Sequence, residues 1–191
     1  MSQANEILEF WFGKPDDKDY GKSRKKWFIK NPEFDQEVRS HFFPDYQKAA
    51  AGELDDWQET ALSCLALIIL LDQFPRNMFR GQPQAFATDP QALAYAKHAV
   101  EKGFGQELLP IQRQFIYLPF EHSENIVDQR QCVELFSTLK DSPECASGVD
   151  YAYRHIKVIE RFGRFPHRNK ILGRETTPEE AEFLQQPGSS F

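Results

Sequence analysis

From Ala61 to Leu71 the chain reads Ala-Leu-Ser-Cys-Leu-Ala-Leu-Ile-Ile-Leu-Leu, apolar throughout except at Ser63. A helix with this sequence has no polar face to turn toward water, so it predicts an element covered on every side, at the centre of a core. The run is also well short of the roughly 20 apolar residues that cross a bilayer. The pattern extends the helix over about Asp55 to Asp72, with Leu62, Leu65, Ala66, Ile69 and Leu70 apolar and Pro75 as its stop. Whatever else the chain forms must wrap this element.

The wrapping segments read as helices. Ile7, Leu8, Trp11 and Phe12 recur at helical spacing before Gly13 and Pro15. Lys22 to Lys30 reads as a short helix with a solvated basic face. Asn31-Pro32 pairs a capping residue with a proline at the first helical position and opens a helix disturbed at Pro44. Asp89-Pro90 repeats that signal before Leu93, Ala96 and Val100. A helix from Glu107 to Tyr117 is interrupted by Pro110 and ended by Pro119, and the next begins at Ser123 or Asn125. A long helix runs from about Val149 to Phe162. Thr177-Pro178-Glu179-Glu180 is a capping box for a short last one.

No segment alternates with period two for long enough to be a strand, so the fold class is all-α: a single domain, residues 1–191, built as an array of antiparallel helical hairpins, with 186–191 a frayed tail. A chain of 191 residues with 17 Phe removes about 70% of its unfolded surface from water.

Charge and cysteines narrow the function. The net charge of −6 argues against a nucleic-acid or anionic-membrane partner, which calls for a basic face. Cys64, Cys132 and Cys145 are odd in number and widely spaced, which reads as reduced thiols in a cytoplasmic protein, with Cys64 in the core. Met1 to Glu6 lack a secretory leader's basic-then-apolar pattern.

Two stretches stand apart. Leu71-Asp72-Gln73-Phe74-Pro75-Arg76-Asn77-Met78-Phe79-Arg80-Gly81 and Gly163-Arg164-Phe165-Pro166-His167-Arg168-Asn169 each read as a Phe-Pro hook after a helix, trailed by a glycine. The echo fits either a duplication or two helix stops of the same kind. These hooks, Tyr117-Leu118-Pro119-Phe120-Glu121-His122-Ser123-Glu124 and Leu172-Gly173-Arg174 resemble the signature blocks of the bacterial domain of unknown function 924 family. The resemblance covers nearly the whole chain and implies a fold similar to tetratricopeptide-repeat superhelices. It carries no activity.

Arg161, Arg164, Arg168, Lys170 and Arg174 fall in one stretch without an acid, and removing these five cations from a total of −6 leaves the rest of the chain at −11. Such a patch fits an anion site, because guanidinium forks match carboxylate and phosphate oxygens. It equally fits arginines that cap helix ends and pair with Asp72, Glu121, Glu124 or Glu160. Glu121 and Glu124 share a face if their turn is helical, and His122 beside them is either a general base or a buried hydrogen-bonding group. His155 faces inward from the long helix toward the hook that bears His167. If His122, His155 and His167 converge, the site has acid–base capacity.

The sequence therefore points to a pocket for a small anionic ligand, lined by Arg76, Asn77, Arg80, Glu121, Glu124, Arg164, Arg168, Asn169 and Arg174, with the three histidines as proton carriers in a hydrolysis or group transfer. The alternatives are a protein-interaction module with a helical groove, or hooks that only lock the fold. No metal or cofactor is expected: Glu-x-x-His pairs, HExxH, a P-loop, GxGxxG and GxSxG are all missing.

Overall fold

The computed structural model describes residues 3–190; the expectations that touch Met1, Ser2 and Phe191 lie outside the described residues. The chain folds as α1 (Gln3–Phe12), α2 (Pro32–Ala50), α3 (Ala61–Ile68), α4 (Phe74–Met78), α5 (Asp89–Glu101), α6 (Pro110–His122), α7 (Ile126–Ser137), α8 (Ala146–Phe162) and α9 (Pro178–Leu184), joined by loops, short 3-10 turns and, between α3 and α4, a π-turn. Among the described residues there is no strand, so the all-α expectation holds.

The apolar run is the centre of the molecule. Every residue from Cys64 to Leu71 is fully buried, and α3 packs against α1, α5 and α6. Leu62, expected inside, is exposed. Successive helices α5, α6, α7 and α8 pack each on the next, as hairpins joined by short loops do. A second, smaller apolar cluster joins Val158, Ile159 and Phe165 to Ile126, Phe162 and Phe183, seating the second hook and α9 on the end of α8.

The prolines depart most from the sequence reading. Pro75 does not stop the central helix. The chain widens into a π-turn over Ile69–Gln73, where the Phe74 amide reaches back to the Ile69 carbonyl, and continues helical through Pro75 to Met78. In a regular helix the Pro75 ring would collide with the Leu71 carbonyl. Here that carbonyl accepts a hydrogen bond from the Thr88 hydroxyl at 2.6 Å instead. Pro44 and Pro119 lie inside unbroken helices, and Pro110 begins α6 where the sequence suggests an interruption. Glu59 and Ala61 belong to separate elements, a 3-10 turn over Asp55–Glu59 and α3.

Other local signals are borne out. Asn31 caps α2 by accepting from the Glu33 and Phe34 amides, Asn125 caps α7, and Thr177 with Glu180 forms the capping box of α9. Lys22 to Lys30 is only a short 3-10 turn at Lys25–Trp27. It buries Trp27 against Trp11 but leaves Phe28 and Ile29 exposed. All three cysteines are buried free thiols. In the tail, Gly188 accepts from Arg154, and Ser189 is buried against Leu184. No helix among the described residues is long and apolar enough to cross a membrane.

Candidate functional site

The π-turn decides where the polar groups of the first hook go. By adding a residue to one turn it rotates Asp72 and Gln73 off the apolar face and aims Arg76 at the start of α5. The last turn of α6 brings Glu121 and His122 to the same place, α8 brings His155, and the second hook brings Phe165, His167 and Arg168.

At the centre is Asp72, fully buried. Its Oδ1 lies 2.7 Å from His122 Nδ1 and 3.4 Å from Arg76 Nη1, and its Oδ2 accepts from Gln73 Nε2 at 2.6 Å. Burial alone would push this carboxyl up, but His122, Arg76 and Gln73 outweigh it and hold it down at about 2. His122 moves the other way: burial and the Arg76 charge lower it, with Asp72 pushing back. The neutral ring therefore keeps its proton on Nδ1, against Asp72, and Nε2 is the basic nitrogen. The His122 side chain is 14% exposed.

Beside this pair, Arg76 grips Asp89 with two hydrogen bonds of 2.9 and 3.0 Å. Arg168 Nη1 approaches the same carboxylate at 3.5 Å. The two hooks thus meet across one acid from α5. The Arg168 guanidinium is clamped between the rings of Phe86 and Phe165, each centroid 4.7 Å away, and its Nε makes no hydrogen bond. Burial, with Arg76 nearby, lowers Arg168 to about 10, so it stays charged at neutral pH.

A third layer lies below. Glu121 Oε1 is 3.7 Å from His155 Nδ1, while Oε2 has no hydrogen bond. Burial, aided by the Asp72 charge, pushes Glu121 up to about 8, so it is protonated at pH 7. His155 donates from Nδ1 to the Tyr151 carbonyl, and burial lowers it to about 3; His167 is lowered to about 4, by burial first and Arg168 next. The contact between Glu121 and His155 is therefore one between neutral groups. The imidazoles of His155 and His167 flank the ring of Phe165 at 5.4 and 5.7 Å.

The family described as bacterial protein of unknown function (DUF924) matches residues 7–188. The chain belongs to the DUF924 family. It is similar to the solved structure of a protein of unknown function from Agrobacterium tumefaciens, at 43% identity over 95% of this chain and 96% of that one, with a TM-score of 0.84. No curated protein matches it.

In this DUF924 chain the residues expected at the site divide into two sets. Arg76, Glu121, His122, His155, His167 and Arg168 share the buried cluster. The others are engaged elsewhere. Arg80 and Asn77 turn to the opposite side, where both bind Asp35. Glu124 lies past the end of α6 and shares no face with Glu121; it takes both prongs of Arg174 at 2.7 and 3.0 Å and accepts from the Phe165 amide. Arg164 forks onto Glu180 at 2.7 and 2.9 Å, and Asn169 bridges Arg174 and Glu180. For these residues the fold-locking alternative describes the geometry, and the positive charge of the second hook is largely matched within it.

In the sequence Asp72 stands out only as an arginine partner and Asp89 only as a helix cap. Thr88 holds the cap position, and the Asp89 carboxylate belongs to Arg76. Nothing in the sequence around Phe86 marks it as a wall of the site. Two surface depressions, of about 380 and 210 Å³, lie elsewhere: one is lined by Lys30, Asp35, Arg39 and Arg80, the other by Arg154, Arg161 and Phe183. Neither unites the two hooks as expected. The cluster meets solvent at its partly exposed members, the side chains of Arg76, Asp89 and His122 at 21%, 17% and 14%, with His167 also half-buried. Among the described residues no group of three or more His, Cys, Asp or Glu is arranged to hold a metal ion.

Proposed function

We propose that this DUF924 chain binds a small anionic molecule at Arg76 and Arg168, and that the Asp72–His122 pair moves a proton on it in a hydrolysis or group transfer. One observation carries the reading: a buried carboxylate 2.7 Å from His122 Nδ1, with two arginines converging beside it. A carboxylate behind an imidazole fixes its tautomer and stabilises the cation formed when Nε2 takes a proton. A guanidinium next to it holds an anion and stabilises charge that builds up in the transition state. Structural ion pairs produce perturbed groups too; what favours a site is that His122 keeps part of its ring exposed beside two converging arginines. In this reading the protein works in the cytoplasm, with neither nucleic acid nor a membrane as partner.

The test is a panel of carboxylic esters, amides and phosphate esters, run on wild type and on His122→Asn. A general base supplies about 10²- to 10⁴-fold, so turnover of one class should fall by that factor while the melting temperature stays near wild type. Turnover that survives His122→Asn, or no turnover together with no anion-induced shift of the His122 ring resonances, refutes the reading.

A second reading, a protein-interaction module on a superhelical groove, draws on one feature. Phe28 and Ile29 are exposed beside Lys25 and Lys30, an apolar tip with a basic rim. It predicts salt-dependent capture of an acidic protein that Phe28→Ser abolishes.

A further inference from the structure

We propose that Asp89 is a resident stand-in for the ligand, occupying the place where the ligand's own anionic group binds, and that the group which displaces it is a carboxylate with a single negative charge. The inference rests on the anion-site reading above and adds the ligand's class and the residue that selects it.

Two acids serve the two arginines, and only one is free to leave. Asp72 is fully buried and held by His122, Gln73 and Arg76. Asp89 sits at the rim, in the first turn of α5, with its side chain 17% exposed. The helix does not need its carboxylate as a cap, because Thr88 holds that position and α5 has no side-chain cap bond. Swung away from the arginines, Asp89 would still lie by the α5 N-terminus, where a negative charge is tolerated.

What it would leave behind is a shaped site. Arg76 already presents a two-pronged fork with carboxylate spacing. Arg168 cannot turn outward for water, because Phe86 and Phe165 clamp its guanidinium on both sides. Its Nε, on a residue 7% exposed, lacks the hydrogen bond that a buried donor ordinarily finds. Asp89 thus satisfies Arg76 fully and Arg168 poorly, and a ligand carboxylate seated slightly deeper would serve both.

Charge selects the class. With Asp89 gone, and with nearby Glu124 matched by Arg174, two arginines face Asp72 and leave one positive charge, since Glu121 is protonated and the imidazoles are neutral. A monocarboxylate brings the total to zero. A phosphate monoester carries close to two negative charges at pH 7 and leaves a net negative charge in a place with little water to screen it.

Isothermal titration of wild type and Asp89→Asn with benzoate and with phenyl phosphate tests this. Benzoate should bind Asp89→Asn at least tenfold more tightly than wild type, and more tightly than phenyl phosphate does; adding Arg168→Gln should remove the gain. A crystal of the wild-type protein soaked in benzoate supplies a check that needs no variant: Asp89 should be off Arg76, with benzoate on both guanidinium groups. Phenyl phosphate binding the tighter to Asp89→Asn overturns the carboxylate class and leaves an anion site standing. Benzoate bound with Asp89 still on Arg76, or no gain on Asp89→Asn, overturns the stand-in role alone. If neither anion binds either protein, the stand-in and the anion-site reading fall together.

Discussion

Glu121 and His155 lie 3.7 Å apart in the interior, and burial acts on them in opposite directions, keeping the carboxyl protonated and the imidazole neutral. Stability therefore depends on pH from both sides. An unfolded carboxyl releases its proton near 4.5, whereas folded Glu121 keeps it to about 8, so stability falls as pH rises through that interval. The unfolded imidazoles of His155 and His167 protonate near 6.5, whereas the folded ones resist to about 3 and 4, so stability also falls as pH drops below 6.5. Between pH 6.5 and 7.5 the unfolded imidazoles are still losing their protons, which offsets part of the Glu121 loss, so the comparison with Glu121→Gln isolates it. In urea unfolding, wild type should lose about 1 kcal/mol relative to Glu121→Gln from pH 6.5 to 7.5. Parallel profiles for the two proteins refute the assignment. At this scale the sequence was partly legible. Rare polar types near the hooks marked Arg76, His122, His155 and Arg168. Asp72 and Asp89 escaped because an acid at a helix end reads as a dipole or cap residue, and the partners that give them a role are set by tertiary packing: His122 for Asp72, fifty residues on, and Arg76 and Arg168 for Asp89.

Among elements, the crossing of α8 over α6 and α7 depends on Gly148. A Cβ there would lie 2.7 Å from Phe136 Cε1 and 3.2 Å from Gln114 Oε1, so the glycine is what lets the helices approach. Helix propensity favours alanine by about 1 kcal/mol, but crowding a packed core costs typically about 1 to 3 kcal/mol, and the Phe136 ring is no flexible chain end. Gly148→Ala is expected to lower the melting temperature, a result that propensity alone predicts with the opposite sign. Gly163 illustrates the other use of glycine: with φ at 67° it turns the chain out of α8 into the second hook, and a Cβ would meet nothing nearby. Caps such as Asn31 and Thr177 were legible because their chemistry is local. The prolines were not. Whether Pro75 stops a helix depends on where the Leu71 carbonyl can find another donor, and Thr88 supplies it from outside the segment.

Across the whole molecule, two apolar clusters of unequal size are joined by a polar clasp in which Arg174 holds Glu124 and the Phe165 carbonyl while Glu124 holds the Phe165 amide. The smaller cluster has few buried side chains of its own, so the clasp governs how readily the second hook and α9 open. For Arg174→Gln, hydrogen exchange in residues 163–186 is expected to speed up about five- to thirtyfold, as a loss of one to two kcal/mol implies, while amides of α3 keep their protection. Equal acceleration in both regions would mean that the molecule opens as one unit.

The placement of the indoles bears on how such opening can be observed. Trp11, Trp27 and Trp57 all belong to the first third of the chain, the first two stacked at 6.0 Å beneath α2 and α3. Tryptophan emission, excited apart from tyrosine, therefore reports the amino-terminal side, and release of the second hook and α9 would leave it nearly unchanged. A tryptophan introduced at Phe183, which packs on Phe162, would give that silent end a signal of its own.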